Sequence, residues 1–111
     1  MRVLFVCTAN LDRSPTAEAV ARELFPGTHE TRSAGTSPSA VRPLGDEDMA
    51  WAELVVVMEE RHRAVITARW PEAAGRIRVL GIEDRYHRGD PALHYRLERA
   101  LADLLADVGM V

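Results

Sequence analysis

The chain holds a single cysteine, Cys7, followed after five residues by Arg13 and then Ser14, in the run VCTANLDRSPTAE at residues 6–18. A thiolate is a nucleophile, and a planar guanidinium can hold two oxygens of a phosphate-like anion. Ser14 can offer a hydroxyl hydrogen bond to the sulfur. Backbone N–H groups of a tight loop can line an anion cavity as a nest. Asn10 is a residue type that tolerates the left-handed backbone such a loop needs. With 14 arginines in 111 residues, the Cys-to-Arg spacing alone carries little weight. Taken by itself it is also compatible with a buried, inert cysteine.

The surrounding elements change that balance. Residues 3–6 (VLFV) form a continuous apolar run, as in a strand buried on both faces of a parallel sheet. Ser14-Pro15-Thr16-Ala17-Glu18 reads as a helix start, with Pro15 in the first turn and Glu18 early enough to favour the dipole. The segment from Cys7 to Arg13 is then a loop between a strand's carboxyl end and a helix N-terminus. Ligands of open α/β sheets bind there, and unpaired helix N–H groups attract an anion. The same field favours an anionic cysteine sulfur.

Further along, Ala17, Val20, Ala21 and Leu24 share a helix face that ends at Pro26-Gly27. Residues 29–34 are a weaker strand, closed by Gly35, and 37–45 a loop rich in Pro and Gly. Asp46 suits the cap of a short helix through Trp51. Residues 54–58 (LVVVM) are a second buried strand. A helix over 59–70 stops at Pro71, and a strand over 77–82 leads into a polar loop at 83–90. A final helix begins near Pro91, with Leu93, Leu97, Ala100, Leu101, Leu104, Leu105 and Val108 at helical spacing as a core stripe. The alternation implies one α/β domain spanning 1–111: a doubly wound, four-stranded parallel sheet in flavodoxin-like order, with helices on both faces.

Apolar residues make up 47% of the chain and charged residues 28%, an ordinary globular balance. All 14 basic residues are arginine and are spread along the sequence, and the net charge is -3, so neither nucleic acid nor a membrane is expected as partner. One cysteine excludes an intramolecular disulfide and a cysteine-based metal site. The apolar start is interrupted by Asn10, Asp12 and Arg13 too early for a secretory signal, and a cytoplasmic location is the expectation. The four histidines, His29, His62, His87 and His94, lack ligand spacing, and solvated or capping roles are expected of them. Trp51 and Trp70 fit apolar helix faces. Arg61 and Arg63 could attract an acidic substrate, but read better as solvated surface arginines.

The run from Val6 to Glu18 resembles the signature of the low-molecular-weight protein tyrosine phosphatases, a superfamily shared with thiol-dependent arsenate reductases. Ser33-Ala34-Gly35-Thr36 is similar to that family's second strand and turn, residues 54–59 to its third strand, and Ile82-Glu83-Asp84-Arg85-Tyr86 to its general-acid loop. The resemblance implies a metal-independent phosphomonoester hydrolase without cofactor, acting on a phosphorylated protein or small aryl phosphate through a phosphocysteine on Cys7. Arg13 would clamp the phosphoryl oxygens and Asp84 would be the general acid. Thr8, Ala9, Asn10, Leu11, Asp12 and Ser14 would form the loop that also holds a phosphate or sulfate ion. Tyr86 would either flank the substrate ring or pack its loop on the body.

The chain departs from the family pattern in several places. Ala9 stands where Gly is usual, Arg85 where proline usually follows the acid, and Asp12 where many relatives carry a second cysteine. The stretch between the second and third strands is short, which marks a compact branch. A carboxylate at Asp12 is expected to point out of the anion cavity, because it would otherwise repel thiolate and phosphate. Asp90 competes with Asp84 through its Asp-Pro dipeptide, but also suits a helix cap, so Asp84 is preferred. Two other functions stay open. One is a non-catalytic module that binds a phosphoryl group. The other is arsenate reduction, for which external thiols would have to do all the resolving.

Overall fold

The computed structural model describes residues 1–27 and 29–107. Four strands, β1 (Arg2–Cys7), β2 (Glu30–Gly35), β3 (Leu54–Val57) and β4 (Ile77–Val79), form one parallel sheet in the order β2-β1-β3-β4. The helices are α1 (Arg13–Leu24), α2 (Asp46–Trp51), α3 (Glu60–Arg69) and α4 (Pro91–Asp107), and a short 3-10 helix, Pro71–Arg76, precedes β4. This is the expected flavodoxin-like order, with β1 interior and Cys7 at its carboxyl end.

Alternation along β1 explains why helices must cover both faces. Val3, Phe5 and Cys7 point to one side, where Val56 and Met58 meet Ala17 and Val20 of α1 and Leu93, Leu97 and Leu101 of α4. Leu4 and Val6 point to the other, where Val55 and Val57 meet Met49, Ile66, Trp70 and Ala73. The apolar stripe of α4 is therefore core through Leu101, with Ala100 and Leu104 packed at its edge. The side chain of Leu105, and Val108, lie outside the described residues.

Three boundaries differ from the sequence reading. β4 ends at Val79 rather than at residue 82, because Gly81 turns the chain at φ 78. Leu80 and Gly81 still donate to the carbonyls of Val57 and Met58, so the segment runs on without strand geometry. The 3-10 helix after Trp70 was not anticipated; Pro71 ends α3 and opens it in the same step. Asp46 does not cap α2 with its side chain. Gly45 is the cap position, Asp48 reaches back to accept from the Gly45 N–H (3.2 Å), and Asp46 accepts from the Trp70 indole (2.8 Å). Trp70 is buried as expected, whereas Trp51 is only partly so and lies under the Arg32 guanidinium.

The end of β2 underlies the loop after β1. A Cβ on Gly35 would meet the Thr8 carbonyl oxygen at 2.4 Å and the Ala40 Cβ at 2.6 Å. Ser37 and Val41 donate their N–H groups to the carbonyls of Thr8 and Ala9, so segment 36–43 braces that loop from beneath.

Candidate active site

The loop between β1 and α1 closes around the cysteine sulfur. Cys7 Sγ lies 3.0 Å from Ser14 Oγ and accepts from the Asn10 N–H at 3.3 Å. Asn10 Nδ2 donates to Ser14 Oγ at 2.9 Å, so one lone pair of that hydroxyl is occupied. Its proton is left for the sulfur or for the more distant Ala34 carbonyl at 3.4 Å. Asn10 makes this ring possible by adopting φ 56, the left-handed conformation expected of it.

Above the sulfur lies a cavity of about 20 Å³, lined by Cys7, Thr8, Ala9, Leu11, Asp12, Arg13 and Asp84. Arg13 is 2% exposed. Its Nη1 donates to the Ile82 carbonyl at 2.8 Å and to Glu59 Oε2, while Nη2 lies 3.8 Å from Asp84 Oδ2. Among the described residues, Nε and Nη2 of Arg13 make no hydrogen bond, so two donors of the fork remain for an anion. Asp84 is 59% exposed at the rim. Asn10 and Ser14 sit behind the cavity wall instead of lining it.

Asp12 turns its carboxylate away, as its charge demands. Its Oδ1 accepts from the Arg88 N–H at 2.7 Å. The partner is a backbone amide in the 83–90 loop, not an arginine side chain. Asp90 occupies the cap site at the start of α4, where its Oδ1 accepts from the Ala92 N–H at 2.9 Å.

Of the two readings of Tyr86, the structure has the packing one. The ring is 8% exposed and belongs to the core beneath α4, and its hydroxyl accepts from Arg96 (2.9 Å) and Arg85 (3.1 Å). It is not presented at the cavity mouth, so its assignment as a substrate-flanking ring is replaced by that of a loop anchor.

Sequence reasoning passed over the support on the far side. Glu59 and His62, at the start of α3, clasp the loop from across the sheet. The carboxyl group of Glu59 is held below its usual range: burial alone would raise it, and hydrogen bonds from Arg13 and Arg61 more than reverse that. His62 is 1% exposed. Its Nδ1 accepts from the Glu59 N–H at 3.0 Å, which leaves the ring proton on Nε2, 2.9 Å from Thr8 Oγ1. Burial foremost, and then the charges of Arg13 and Arg61, lower its pKa to about 4, so the ring is neutral at ordinary pH. The capping role expected of a histidine is thus realised at His62, with a loop contact in addition. A residue three positions into a helix, able to reach back to the cap, was the available signal.

Arg61 is more engaged than a solvated arginine. It donates twice to Glu59 (2.9 and 3.1 Å) and lies 4.0 Å from Asp84. Arg63 pairs with Glu60 at 3.5 Å. Among the described residues, no group of His, Cys, Asp and Glu is arranged to hold a metal, and no helix is long and apolar enough to cross a membrane.

Comparison with known proteins agrees with this geometry. Residues 2–43 match the family described as low molecular weight phosphotyrosine protein phosphatase. The low-molecular-weight protein-tyrosine-phosphatase Etp of Escherichia coli K12 is 29% identical, over 88% of each chain. Among solved structures, the YwlE arginine phosphatase of Geobacillus stearothermophilus is 27% identical, with TM-score 0.76, over 97% of this chain and 92% of its own. The tyrosine phosphatase Wzb of E. coli K30, solved in complex with phosphate, has TM-score 0.80 at 24% identity, over 96% of both chains. The nucleophile loop, the order of the sheet and these relatives together make the chain similar to the low molecular weight phosphotyrosine protein phosphatases over its nucleophile-loop region and its fold.

Proposed function

We propose that the protein hydrolyses aryl phosphate monoesters, phosphotyrosine in a protein among them, through a phosphocysteine on Cys7. The observation that carries the proposal is the placement of Cys7 Sγ at the floor of a narrow cavity that also presents Arg13 and Asp84. The Cys7 thiolate attacks phosphorus while the bond to the leaving oxygen breaks, and Asp84 gives that oxygen its proton. Arg13 Nε and Nη2, with the loop N–H groups, hold the equatorial oxygens as charge develops. Asp84, now a carboxylate, takes a proton from water as the water oxygen attacks phosphorus. The S–P bond breaks, the thiolate returns and phosphate leaves. Phosphate and sulfate are the simplest ligands for the loop. A nucleophile with no second thiol beside it suits the reducing cytoplasm.

Leu11 supports an aromatic leaving group, because it lines the cavity and is 53% exposed, an apolar contact at the mouth. The kinship with an arginine phosphatase makes phosphoarginine the second candidate. The test is hydrolysis of phosphotyrosine and phosphoarginine peptides by wild type and Cys7→Ser, with calorimetric titration of phosphate. The proposal expects turnover of the tyrosine ester, none in Cys7→Ser, and phosphate binding in both. Phosphate binding without turnover in wild type would make the protein a non-catalytic binding module. Preference for phosphoarginine would move the substrate class.

A further inference from the structure

The Asp12 carboxylate lies in a loop built for a dianion, and the proposed chemistry gives it nothing to do. Its one side-chain hydrogen bond among the described residues goes to the Arg88 N–H, at 2.7 Å and across 76 positions of sequence. Arg88 follows Asp84 by four residues. On the other side of Asp84, two residues before it, the Ile82 carbonyl accepts from Arg13 Nη1 at 2.8 Å. Two adjacent residues of the nucleophile loop therefore grip the 83–90 segment on either side of its exposed carboxylate.

That segment has no helix or strand of its own. Its internal turns are the Arg85 N–H to Glu83 and the Asp90 N–H to His87 carbonyl bonds, and Tyr86 anchors its middle to the core. Nothing internal to it fixes Asp84 relative to Cys7. Arg96 of α4 holds the segment from the outer side, through Glu83 (3.2 Å) and Tyr86 (2.9 Å), and the two bonds from the nucleophile loop hold it from the cavity side; one of those two depends on a carboxylate accepting a short, charge-assisted bond from a backbone amide.

We infer that Asp12 is a positioning residue that holds the Asp84 segment over the cavity, so that the loop binding the phosphoryl group also sets the place of the proton donor. The inference rests on the proposed phosphatase reaction and on Asp84 as its acid. It explains why a negative charge is tolerated beside the anion site: the carboxylate spends its acceptor capacity outward. It also separates two substitutions that would otherwise look alike. Asn at this position keeps an acceptor oxygen and removes the charge, whereas Ala removes both.

The experiment compares wild type, Asp12→Asn and Asp12→Ala on aryl phosphates whose phenols span a wide range of acidity, together with amide hydrogen exchange at Arg88. Asp12→Ala is expected to lose tenfold or more in kcat on esters of weakly acidic phenols, and much less on esters of strongly acidic phenols, which leave without a proton. Its Arg88 amide is expected to exchange faster. Asp12→Asn is expected to keep the wild-type dependence on leaving group and the wild-type protection at Arg88, with kcat raised modestly by the lost repulsion. An equal loss on all esters in Asp12→Ala, or no loss, would overturn the inference, as would an Arg88 amide indifferent to the substitution. If Asp12→Ala does not fold, Asp12→Ser, whose hydroxyl is too short to reach, carries the same comparison. Absence of turnover in wild type would instead refute the phosphatase reading, and amide exchange would still report on the Asp12–Arg88 contact.

Discussion

His62 Nε2 lies 2.9 Å from the Thr8 hydroxyl, joining the first turn of α3 to the residue after the cysteine across 54 positions of sequence. The same ring accepts from the Glu59 N–H at Nδ1, and that second bond requires a neutral ring, because a protonated Nδ1 has no lone pair to offer. Folding lowers the pKa from 6.5 to about 4, so the unfolded chain takes up this proton first as pH falls. The stabilisation is complete above about pH 6.5 and is lost progressively down to pH 4, by at most about 3 kcal/mol. Urea unfolding across that range should show the loss in wild type and a flatter profile in His62→Asn. An equal slope in both would remove His62 as its source.

Arg13 depends on Glu59 for its burial. Truncation to Glu59→Ala leaves a 2% exposed guanidinium short of its main counter-charge, and should cost on the order of 3 kcal/mol in unfolding free energy. Glu59→Gln keeps an acceptor oxygen and should cost less. Because Glu59 has a lowered carboxyl pKa in the folded chain, its contribution is present above the unfolded value and fades as pH falls below it. Phosphate competition should weaken in both variants as the fork loses its fixed orientation.

The two candidate acids are distinguished by what they touch. Asp84→Asn should slow esters of weakly acidic phenols by about 10²-fold or more, and barely affect esters of strongly acidic ones. Asp90 accepts from the Ala92 N–H, so Asp90→Ala should cost about 1 kcal/mol of stability with no such leaving-group pattern. The reverse outcome would exchange their roles.

Peroxide should inactivate the protein irreversibly sooner than it does relatives with a second loop cysteine. Cys7 has no thiol partner in this chain, and a sulfenic acid that finds none proceeds to sulfinic acid. Full recovery with dithiothreitol after prolonged exposure would contradict this.

Gly35→Ala tests the brace beneath the loop. The added Cβ would lie 2.4 Å from the Thr8 carbonyl oxygen and 3.0 Å from the Asn10 nitrogen, both backbone atoms. The loop must shift to admit it, so a destabilisation of about 1–3 kcal/mol and a tenfold or greater loss of turnover are expected. Wild-type phosphate affinity in this variant would show that the loop is held from elsewhere.

Local chemistry made half of this site legible in the sequence. The apolar run before Cys7, the helix start after Arg13 and the tolerance of Asn10 for positive φ are short-range signals, and the structure has each of them. What was hidden depends on pairings across the sheet. Glu59 meets Arg13 across 46 positions, and Asp12 meets Arg88 across 76. No periodicity encodes such contacts. Tyr86 illustrates the same limit: its spacing from Asp84 is local, but whether the ring faces substrate or core was decided by Arg96 on α4. The early end of β4 came from a single glycine inside an apolar run, where pattern outweighed backbone freedom in the reading.

The narrowness of the space above Cys7 has a further consequence, for reagents rather than substrates. About 20 Å³ is room for little more than one water molecule, and Leu11 and Asp84 stand at its edge. Hydrogen peroxide should pass such an opening, whereas an aromatic disulfide or a bulky maleimide should react slowly, because the rim must move further to admit either than it does for a phosphoryl group. The protein's one thiol is thereby filtered by size. It should record small oxidants while ignoring thiol-exchange partners, and an electrophile that labels it must carry its reactive atom on a slender, anionic tip.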